Sequence, residues 1–580
     1  QGLEDVEVGG PSGGEHPGER GGEGSRFGCM SESVTVSEAV AAGERALARG
    51  AWGEARSWFA SALEQSDEAA AHEGLSWTHW WQEDLTACLA ARERAYHGYR
   101  AAGDRRGAAR MAQWIGDDHL WYAGAPALAD GWFARARRLL DGLDECPEHG
   151  WQAVFDASVA LGAGDLEAAR RLVVEAQRVG RSQEVVGLQM FGIAMEGVVL
   201  LQQGEIAAAL LSLEEAATAA LAGEYEELAP AAWACCLLLS ACEELRDDER
   251  GAQWCQQVTA FSERIGARFV VGNCRSHQGW ILTRCGRWSE AERELVTVAE
   301  RLADGPQLWY RDVLARLGDL RRRQGRGDEA RRAFEQAGEQ WLAQAGRAAL
   351  HLDAGDAAGA VELAERSLLQ LPRDSPQRAE ALEVGVRGRL ALGDREAAAD
   401  HVEELRGLAT TVGTSSLQAA RWLCEARLAA ADDDAESAAR HYADAVAMFE
   451  RAGTPLEAAL TRLELARALA ATSRSQIAAA EARQARAALA ELGAGPDAER
   501  AAELIVELAG DDEAPAPCPL TPRQIEVLQL AAEGLTERQI AQRLVLSEHT
   551  VHRHLANIYT RLSCSSRSAA VAQAGRLDLL

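Results

Sequence analysis

Residues 35–510 repeat one pattern, in which a helix, a short polar turn and a second helix follow one another along the chain. The clearest copy spans residues 317–337 and has Gly318 in its first helix and a turn predicted at Gly327 and Asp328. In its second helix Phe334 follows Ala330 by four positions, so both lie on the same helix face. Small residues let two helices approach closely, and each pair leaves an apolar face that only a neighbouring pair can cover. The repeat therefore predicts an all-α solenoid.

The same small position recurs along the chain at spacings that mostly exceed the roughly 34 residues of a tetratricopeptide repeat. We align it at Ala55, Ala87, Ala129, Ala168, Ala208, Ala252, Ala291, Ala330, Ala360, Ala398, Ala438 and Ala479. The region thus resembles a tetratricopeptide-like solenoid of about twelve helix pairs. This resemblance implies a curved superhelix whose concave wall binds a partner.

The last sixty residues predict four short helices. Thr521, followed by Pro522 and Gln524, predicts the start of the first helix, because a hydroxyl, a proline and an amide suit its opening turn. Thr536 and Gln539 repeat the capping pattern for the second helix. Ser547 is expected to cap the third, after a turn through residues 545–547. Two helices joined by so short a turn form a helix-turn-helix.

The third of these helices has one narrow apolar stripe, formed by Val551, Leu555, Ile558 and Leu562. At about 100° of rotation per residue, the opposite face must point outward. That face is expected to carry His549, His552, Arg553, Ala556, Asn557 and Thr560. Its donors, acceptors and one methyl group suit the base edges of a DNA major groove.

This segment also resembles the LuxR-type helix-turn-helix of bacterial transcription regulators, over about a tenth of the chain. The matching residues are Leu520, Thr521, Pro522, Arg523, Glu526, Val527, Leu528, Gly534, Leu535, Ile540, Ala541, Leu544, Ser547, Thr550, Val551, His554, Ile558, Leu562, Ser566 and Arg567. The resemblance implies that His552, Arg553 and Ala556 read bases and that Thr550 and Arg561 contact the DNA backbone. It also implies binding as a homodimer.

Histidine is the departure from the family pattern, because members often carry lysine at the positions of His549 and His552. Histidine is mostly neutral at pH 7 unless a phosphate raises its pKa, so the DNA sequence preference of the family does not carry over. A zinc site is not expected, since His554 lies on the far side of the helix from His552 and the three imidazoles cannot converge.

The net charge of −29 separates the two parts of the chain. Residues 519–580 hold seven arginines against five acidic residues, a balance of +2, so the other 518 residues carry −31. An acidic body repels DNA, which confines nucleic-acid contact to the C-terminal segment.

Lysine is absent, and all sixty basic residues are arginine. A P-loop ATPase and a Schiff-base enzyme are therefore excluded, because each needs a lysine. Without a nucleophile elbow or metal spacing either, we expect no enzyme activity and no cofactor.

The twelve cysteines are scattered without a CxxC motif and are expected to be buried small side chains in a reducing cytoplasm. Adjacent residues on a helix point about 100° apart, which disfavours a disulfide between Cys235 and Cys236. The sequence lacks an apolar stretch of membrane-spanning length, so we expect a cytoplasmic protein without a membrane partner.

Composition marks the domain boundaries. Residues 1–34 are rich in glycine, with ten glycines in the first thirty, and are predicted to be disordered. Residues 35–510 form the repeat region, residues 511–519 an acidic, proline-containing linker, and residues 520–580 the helix-turn-helix domain. Met30 is a candidate natural start.

Tryptophan is concentrated in the first quarter of the chain. The residues are Trp52, Trp58, Trp77, Trp80, Trp81, Trp114, Trp121 and Trp132. They could form a ligand cage or fill gaps between repeat helices, and the sequence leaves both interpretations open.

Together these features predict a sequence-specific DNA-binding transcription regulator whose repeat region senses a protein or small-molecule effector. The alternative is a tetratricopeptide-like interaction scaffold whose C-terminal helices do not bind DNA. Arg553 on the exposed face and the positive local charge favour the regulator. The inducing signal, the operator and the direction of regulation are not encoded in these patterns.

Overall fold

The computed structural model describes residues 35–265, 272–303, 307–510, 520, 522–544, 546–562, 564 and 567–576. All regular secondary structure in these ranges is helical, which confirms the predicted all-α class. The predicted disordered segment 1–34, the predicted linker 511–519, the cap residue Thr521, the turn residue Val545 and the family-matching Ser566 lie outside the described residues.

The first thirteen helices run from the N-terminal end of the repeat region to its middle. They are α1 (Val36–Ala48), α2 (Trp52–Gln65), α3 (Ala69–Trp81), α4 (Leu85–Ala102), α5 (Arg105–Trp121), α6 (Pro126–Leu140), α7 (Pro147–Gly162), α8 (Leu166–Ser182), α9 (Val186–Gln202), α10 (Ile206–Ala222), α11 (Leu228–Glu244), α12 (Asp248–Ile265) and α13 (Gly272–Arg284).

Twelve more helices complete the repeat region, with a short 3-10 turn at Pro376–Arg378. They are α14 (Trp288–Leu302), α15 (Gln307–Arg323), α16 (Gly327–Ala337), α17 (Trp341–Asp353), α18 (Ala357–Leu368), α19 (Ala379–Ala391), α20 (Arg395–Val412), α21 (Ser415–Ala431), α22 (Ala435–Ala452), α23 (Pro455–Ala471), α24 (Ser475–Leu492) and α25 (Gly495–Gly510).

The C-terminal segment has the four predicted helices. They are α26 (Pro522–Ala532), α27 (Glu537–Leu544), α28 (Glu548–Arg561) and α29 (Arg567–Arg576).

Helices α1 to α24 form twelve consecutive pairs, the number predicted, and each pair stacks on the next. From α5 to α21 the first helix of each pair also touches the first helix of the following pair, whereas contacts between successive second helices are sparse. The first helices therefore crowd together and form the inner wall of the curved array.

A small residue is buried four positions after the N-cap of every second helix. These residues are Ala55, Cys88, Ala129, Ala169, Ala209, Gly251, Ala291, Ala330, Ala360, Ala398, Ala438 and Ala478. The alignment predicted from sequence is correct at seven positions and wrong by one residue at Ala87, Ala168, Ala208, Ala252 and Ala479. The position is set by the cap, because its amide donates to the N-cap carbonyl, as from Ala169 to Asp165 at 3.0 Å.

Glycine in the first helix makes close helix packing possible, as predicted. A Cβ at Gly318 would lie 2.6 Å from the ring of Phe334, and one at Gly346 only 2.2 Å from it. The turn of this pair lies earlier than predicted, however. Gly325, with φ of +77°, makes the turn, and Gly327 already belongs to α16.

Ion pairs join parts of the inner wall that are far apart in sequence. Arg284 on α13 is 3% exposed and contacts Glu457 on α23 at 2.9 Å and Asp248 at 3.2 Å. Arg246 contacts Glu383 on α19 at 3.0 Å. Buried ion pairs therefore hold α13 against α23 and the end of α11 against α19.

Most of the early tryptophans fill gaps between helices. Trp80, Trp81 and Trp114 are at most 6% exposed, and Trp52 stacks on Trp81 with ring centroids 4.4 Å apart. Gap filling is thus confirmed for these residues. Trp121 differs from them, because 45% of it is exposed.

Among the described residues, seven cysteines are buried as expected, and Cys236, Cys285 and Cys564 are half-buried. A disulfide joins Cys236 on α11 to Cys274 on α13, with the two Cα atoms 4.9 Å apart. The sequence did not predict this pair, because it is the packing of successive first helices that brings residues 38 positions apart together. Cys235 and Cys236 are not joined to each other, as predicted.

No helix in the described part of the chain is long and apolar enough to span a membrane.

Candidate DNA-binding site

Capping hydrogen bonds define the start of α27. The Thr536 hydroxyl accepts a hydrogen bond from the Gln539 amide, and the Gln539 side chain accepts one from the Thr536 amide at 2.8 Å. Gly534, with φ of +87°, lets the chain turn after α26. The capping box predicted from sequence is confirmed at these two residues.

Ser547 caps α28 as predicted, because its hydroxyl accepts the Thr550 amide at 3.1 Å. The Thr550 hydroxyl lies 2.7 Å from that of Ser547. Thr550 is half-buried, and its side chain belongs to the cap. Its backbone amide and hydroxyl therefore sit at the helix N-terminus, where an anion is stabilised.

The apolar stripe of α28 forms the centre of the module. Val551 and Ile558 are fully buried, and Leu555 and Leu562 are 2% and 7% exposed. They pack against α26 and α27 through a core that includes Val527, Leu528, Ile540 and Ala541. Ile525, predicted to be buried, is only half-buried, and Val527 takes the buried position beside Leu528.

The face of α28 opposite this stripe is exposed. His552, Arg553, Ala556 and Asn557 all lie on it and are exposed to solvent. The side chains of His549 and Thr560 lie outside the described part of the helix. A guanidinium, an imidazole, an amide and a methyl group are thus presented side by side on a rigid helix.

Two of these predicted site residues have partners within the module. The His552 ring lies 3.3 Å from the Glu537 carboxylate on α27. Arg561 is exposed and donates to the Gln524 side chain at 3.0 Å. Sequence reasoning missed Glu537, although its position in the first turn of α27 was readable; that it faces His552 depends on how the two helices cross.

Two arginines that matched the family pattern have structural roles. Arg523 donates to the Leu544 carbonyl at 2.7 Å, at the end of α27. Arg567 donates to the carbonyls of Ala531 at 2.6 Å and Leu535 at 2.5 Å, at the end of α26. Cations stabilise the unpaired carbonyls at helix C-termini, so both residues hold the helix arrangement that presents α28.

Comparison with known families matches residues 518–574 to the bacterial regulatory proteins of the luxR family. The matched range contains α26, α27 and α28 and most of α29.

Curated relatives match the same segment. A putative HTH-type transcriptional regulator of Mycobacterium bovis is 42% identical over 57 residues, which are 10% of this chain and 6% of the relative. The quorum sensing-dependent regulator RpaR of Rhodopseudomonas palustris is 44% identical over 61 residues, 10% of this chain and 25% of the relative. This chain therefore matches a quarter or less of the length of these relatives.

Solved structures resemble the chain over a longer range but only loosely. The APC/C hetero-tetramer Cut9-Hcn1 covers 94% of this chain and 95% of its own at 13% identity, with a TM-score of 0.38. The quorum sensor NprR of B. thuringiensis covers 69% of this chain and 98% of its own at 12% identity, with a TM-score of 0.33.

The residues matched to the family and the residues of helices α26 to α29 are nearly the same. The capped helix pair, the buried stripe and the exposed polar face occur at the positions that capping residues and helical periodicity predicted. Residues 518–574 of this chain are a helix-turn-helix domain of the luxR family of bacterial regulatory proteins.

Proposed function

We propose that this protein is a sequence-specific DNA-binding transcription regulator and that α28 is its recognition helix. The observation that carries the proposal is the exposed face with Arg553, Ala556 and Asn557, set directly opposite a fully buried stripe. In this geometry the module can lie against DNA with α28 in the major groove while its core stays intact.

Each exposed side chain has a role in this proposal. The Arg553 guanidinium donates two hydrogen bonds to one guanine, and the Ala556 methyl packs on a thymine methyl. Asn557 lies within reach of a base edge or a phosphate. Thr550, in the first turn of α28, and Arg561 contact the DNA backbone. His549 and Thr560 stay proposed contacts on the strength of their positions in the helix.

Charge restricts DNA binding to this module. The residues outside 519–580 carry a net −31, which repels the phosphate backbone. The DNA partner is double-stranded, and two modules bind as a homodimer to related half-sites. The repeat region takes up an effector and changes the DNA affinity of the module.

The other parts of the proposal follow from this role. The protein acts in the cytoplasm, where bacterial DNA lies, and it catalyses no reaction of its own. Residues 35–510 act as the effector-binding region, and residues 520–580 fold as an independent domain.

A DNA retention experiment tests the proposal against the scaffold alternative. Full-length protein is expected to bind random duplex DNA at low salt and selected duplexes at higher salt, because phosphate contacts weaken as salt rises. Deletion of residues 520–580 should abolish both. Selection from a random duplex pool would also supply the operator. Failure of the full-length protein and of the isolated module to retain any duplex at low salt would favour the scaffold.

A further inference from the structure

A cavity of about 360 Å³ lies within the inner wall of the repeat region. The residues that line it come from α5, α7, α9, α11, α13 and α15 and the turn after α5, and thus only from the first-helix side of successive pairs. Its volume is within the range of small-molecule sites, about 300 to 1,000 Å³. The cavity is therefore large enough for a small organic molecule.

Six aromatic side chains line the cavity. They are Trp121, Tyr122, Phe155, Phe191, Trp233 and Trp309. Trp121 is 45% exposed, and its carbonyl accepts a hydrogen bond from the indole of Trp309. A partly exposed indole beside a cavity contrasts with the buried tryptophans that fill gaps elsewhere, so this edge of the cavity is open to solvent.

One carboxyl group in this wall lacks a partner. Asp117 is 8% exposed and lines the cavity, and no hydrogen bond from a described residue reaches its side chain. Its neighbour Asp118 differs, because it pairs with the Arg92 guanidinium at 2.9 Å. The Asp117 carboxyl is thus left to meet solvent or a ligand in the cavity.

The charged surroundings of Asp117 support this interpretation. Burial, together with the Asp118 carboxyl, raises the pKa of Asp117 to about 8, and Arg92 only partly opposes that change. Burial raises the pKa of Tyr122 as well, so it stays neutral. His277, on the other side of the cavity, is held by the Glu243 carboxylate at 2.6 Å. Asp117 is thus the acidic group in the wall that is left for a ligand.

We propose that this cavity binds a small organic amine, with the protonated nitrogen on the Asp117 carboxylate and the apolar body between the aromatic rings. Aromatic faces attract cations, and a charge-assisted hydrogen bond to a carboxylate is among the stronger polar contacts available in a protein. A carboxylate ligand would place its negative charge beside the Asp117 carboxyl and is disfavoured. The proposal rests on the proposed sensor role of the repeat region and names the class of effector and its site.

The position of the cavity gives the ligand a way to act on the rest of the molecule. Trp121 belongs to the third helix pair and Trp309 to the eighth, and they meet at the cavity. Arg301, on α14 of the seventh pair, and Glu83, in the turn between α3 and α4 of the second pair, form a further ion pair at 2.6 Å. An amine in the cavity touches both parts and stabilises their contact, which changes the arrangement of the array.

Binding is tested on the full-length protein without DNA, by calorimetry and by tryptophan fluorescence. The probes are phenylpropylamine, phenylpropanol and phenylpropanoate, which share one body and differ in the charge of the head group. The amine is expected to bind about tenfold more tightly than the alcohol, and the acid more weakly than either. Its binding should release a proton near pH 7, seen as a dependence of the enthalpy on the buffer, because the ammonium ionises Asp117.

Two variants locate the site. Asp117→Asn should remove the tenfold preference for the amine over the alcohol, whereas the matched control Asp130→Asn, at an exposed position on α6, should keep it. Ser158→Phe, which fills the cavity from α7, should abolish binding of the amine while circular dichroism shows an unchanged helix content.

The proposal is overturned if the amine binds no better than the alcohol, if no probe binds, or if either cavity variant binds the amine as the wild type does. DNA retention by the same preparation separates this result from the proposed function. Loss of the amine site with DNA binding intact refutes only the effector assignment. Amine binding without any DNA binding refutes only the regulator.

Discussion

Arginine is exposed on α28 but buried and paired in the inner wall of the repeat region. Arg553 lies exposed on α28, and no described residue pairs with it. Arg284 is 3% exposed and is surrounded by the carboxylates of Asp248, Glu380 and Glu457. Because all sixty basic residues are arginine, residue type cannot distinguish a DNA-reading cation from a structural one. Burial and partners make that distinction.

Because of this difference, we expect removal of an exposed arginine to affect DNA binding and removal of a buried one to affect the free energy of unfolding. An exposed arginine contributes little to folding, so its removal should be felt only when DNA is present. A buried arginine or its partner cannot be removed without leaving an uncompensated charge. Two carboxyl groups of the inner wall also differ in their partners. Asp117 has no hydrogen-bond partner among described residues, whereas Glu457 forms ion pairs with Arg284 and Arg323.

The largest effect is expected for Val551→Asp. Val551 is fully buried in the core of the module, and a carboxylate there would lack a partner. We expect a loss of more than about 4 kcal/mol, enough to unfold the module. Thermal unfolding followed by circular dichroism should then show the repeat region melting as in the wild type. A melt in which both regions are lost together would mean that the module and the repeat region are one cooperative unit.

A loss of about 3 to 5 kcal/mol is expected for Glu457→Ala, because Arg284 and Arg323 keep their charges in a buried site. Denaturant unfolding of the repeat region measures it. The matched control is Glu436→Ala, in which an exposed pair with Arg474 is broken and less than about 0.5 kcal/mol should be lost. Equal losses in the two variants would contradict the structural role of the buried network.

The pH dependence of that loss has a definite sign. Burial alone would raise the pKa of Glu457, but Arg284 and Arg323 outweigh it and hold the pKa at about 2, below the ordinary 4.5. The stability from this carboxylate is therefore fully present above about pH 4.5 and is lost as the pH falls toward 2. As the pH falls through that range, the difference in the free energy of unfolding between Glu457→Ala and the wild type should become smaller.

Arg553→Ala should leave unfolding unchanged within about 0.5 kcal/mol and weaken operator binding by about 1 to 3 kcal/mol, with relaxed preference at one base pair. Fluorescence anisotropy with the selected operator and its single-base variants measures both. Arg451→Ala, which removes an exposed arginine from α22, should change neither. If Arg553→Ala retains full affinity and base preference, α28 does not read DNA in the proposed orientation.

The smallest effect is expected for His552→Ala. Its ring already faces Glu537 at 3.3 Å, so a DNA phosphate must compete with that carboxylate. Operator affinity should therefore fall by less than in Arg553→Ala. Fluorescence anisotropy with the same operator compares the two variants. A loss as large as that of Arg553→Ala would indicate that His552 is a principal contact to DNA.

Most of the module could be predicted from its sequence, because its signals are local. Each capping hydroxyl lies three residues before the backbone amide that donates to it. The apolar stripe from Val551 to Leu562 follows from the rotation per residue of a helix. The repeat pattern predicted twelve helix pairs for the same reason. The buried small position was misplaced at five of them, since adjacent small residues look alike and only the N-cap determines which one turns inward.

The sequence by itself determined the helix pairs, their caps and the exposed face of α28, because these depend on residues a few positions apart. It also determined the acidic charge of the repeat region through its composition. Only the tertiary structure decided that Arg284 meets Glu457, 173 residues away, that Cys236 meets Cys274, and that aromatic rings from α5 to α15 enclose Asp117. Such contacts depend on the small rotation between successive helix pairs, which accumulates along the solenoid and is not written in any one repeat.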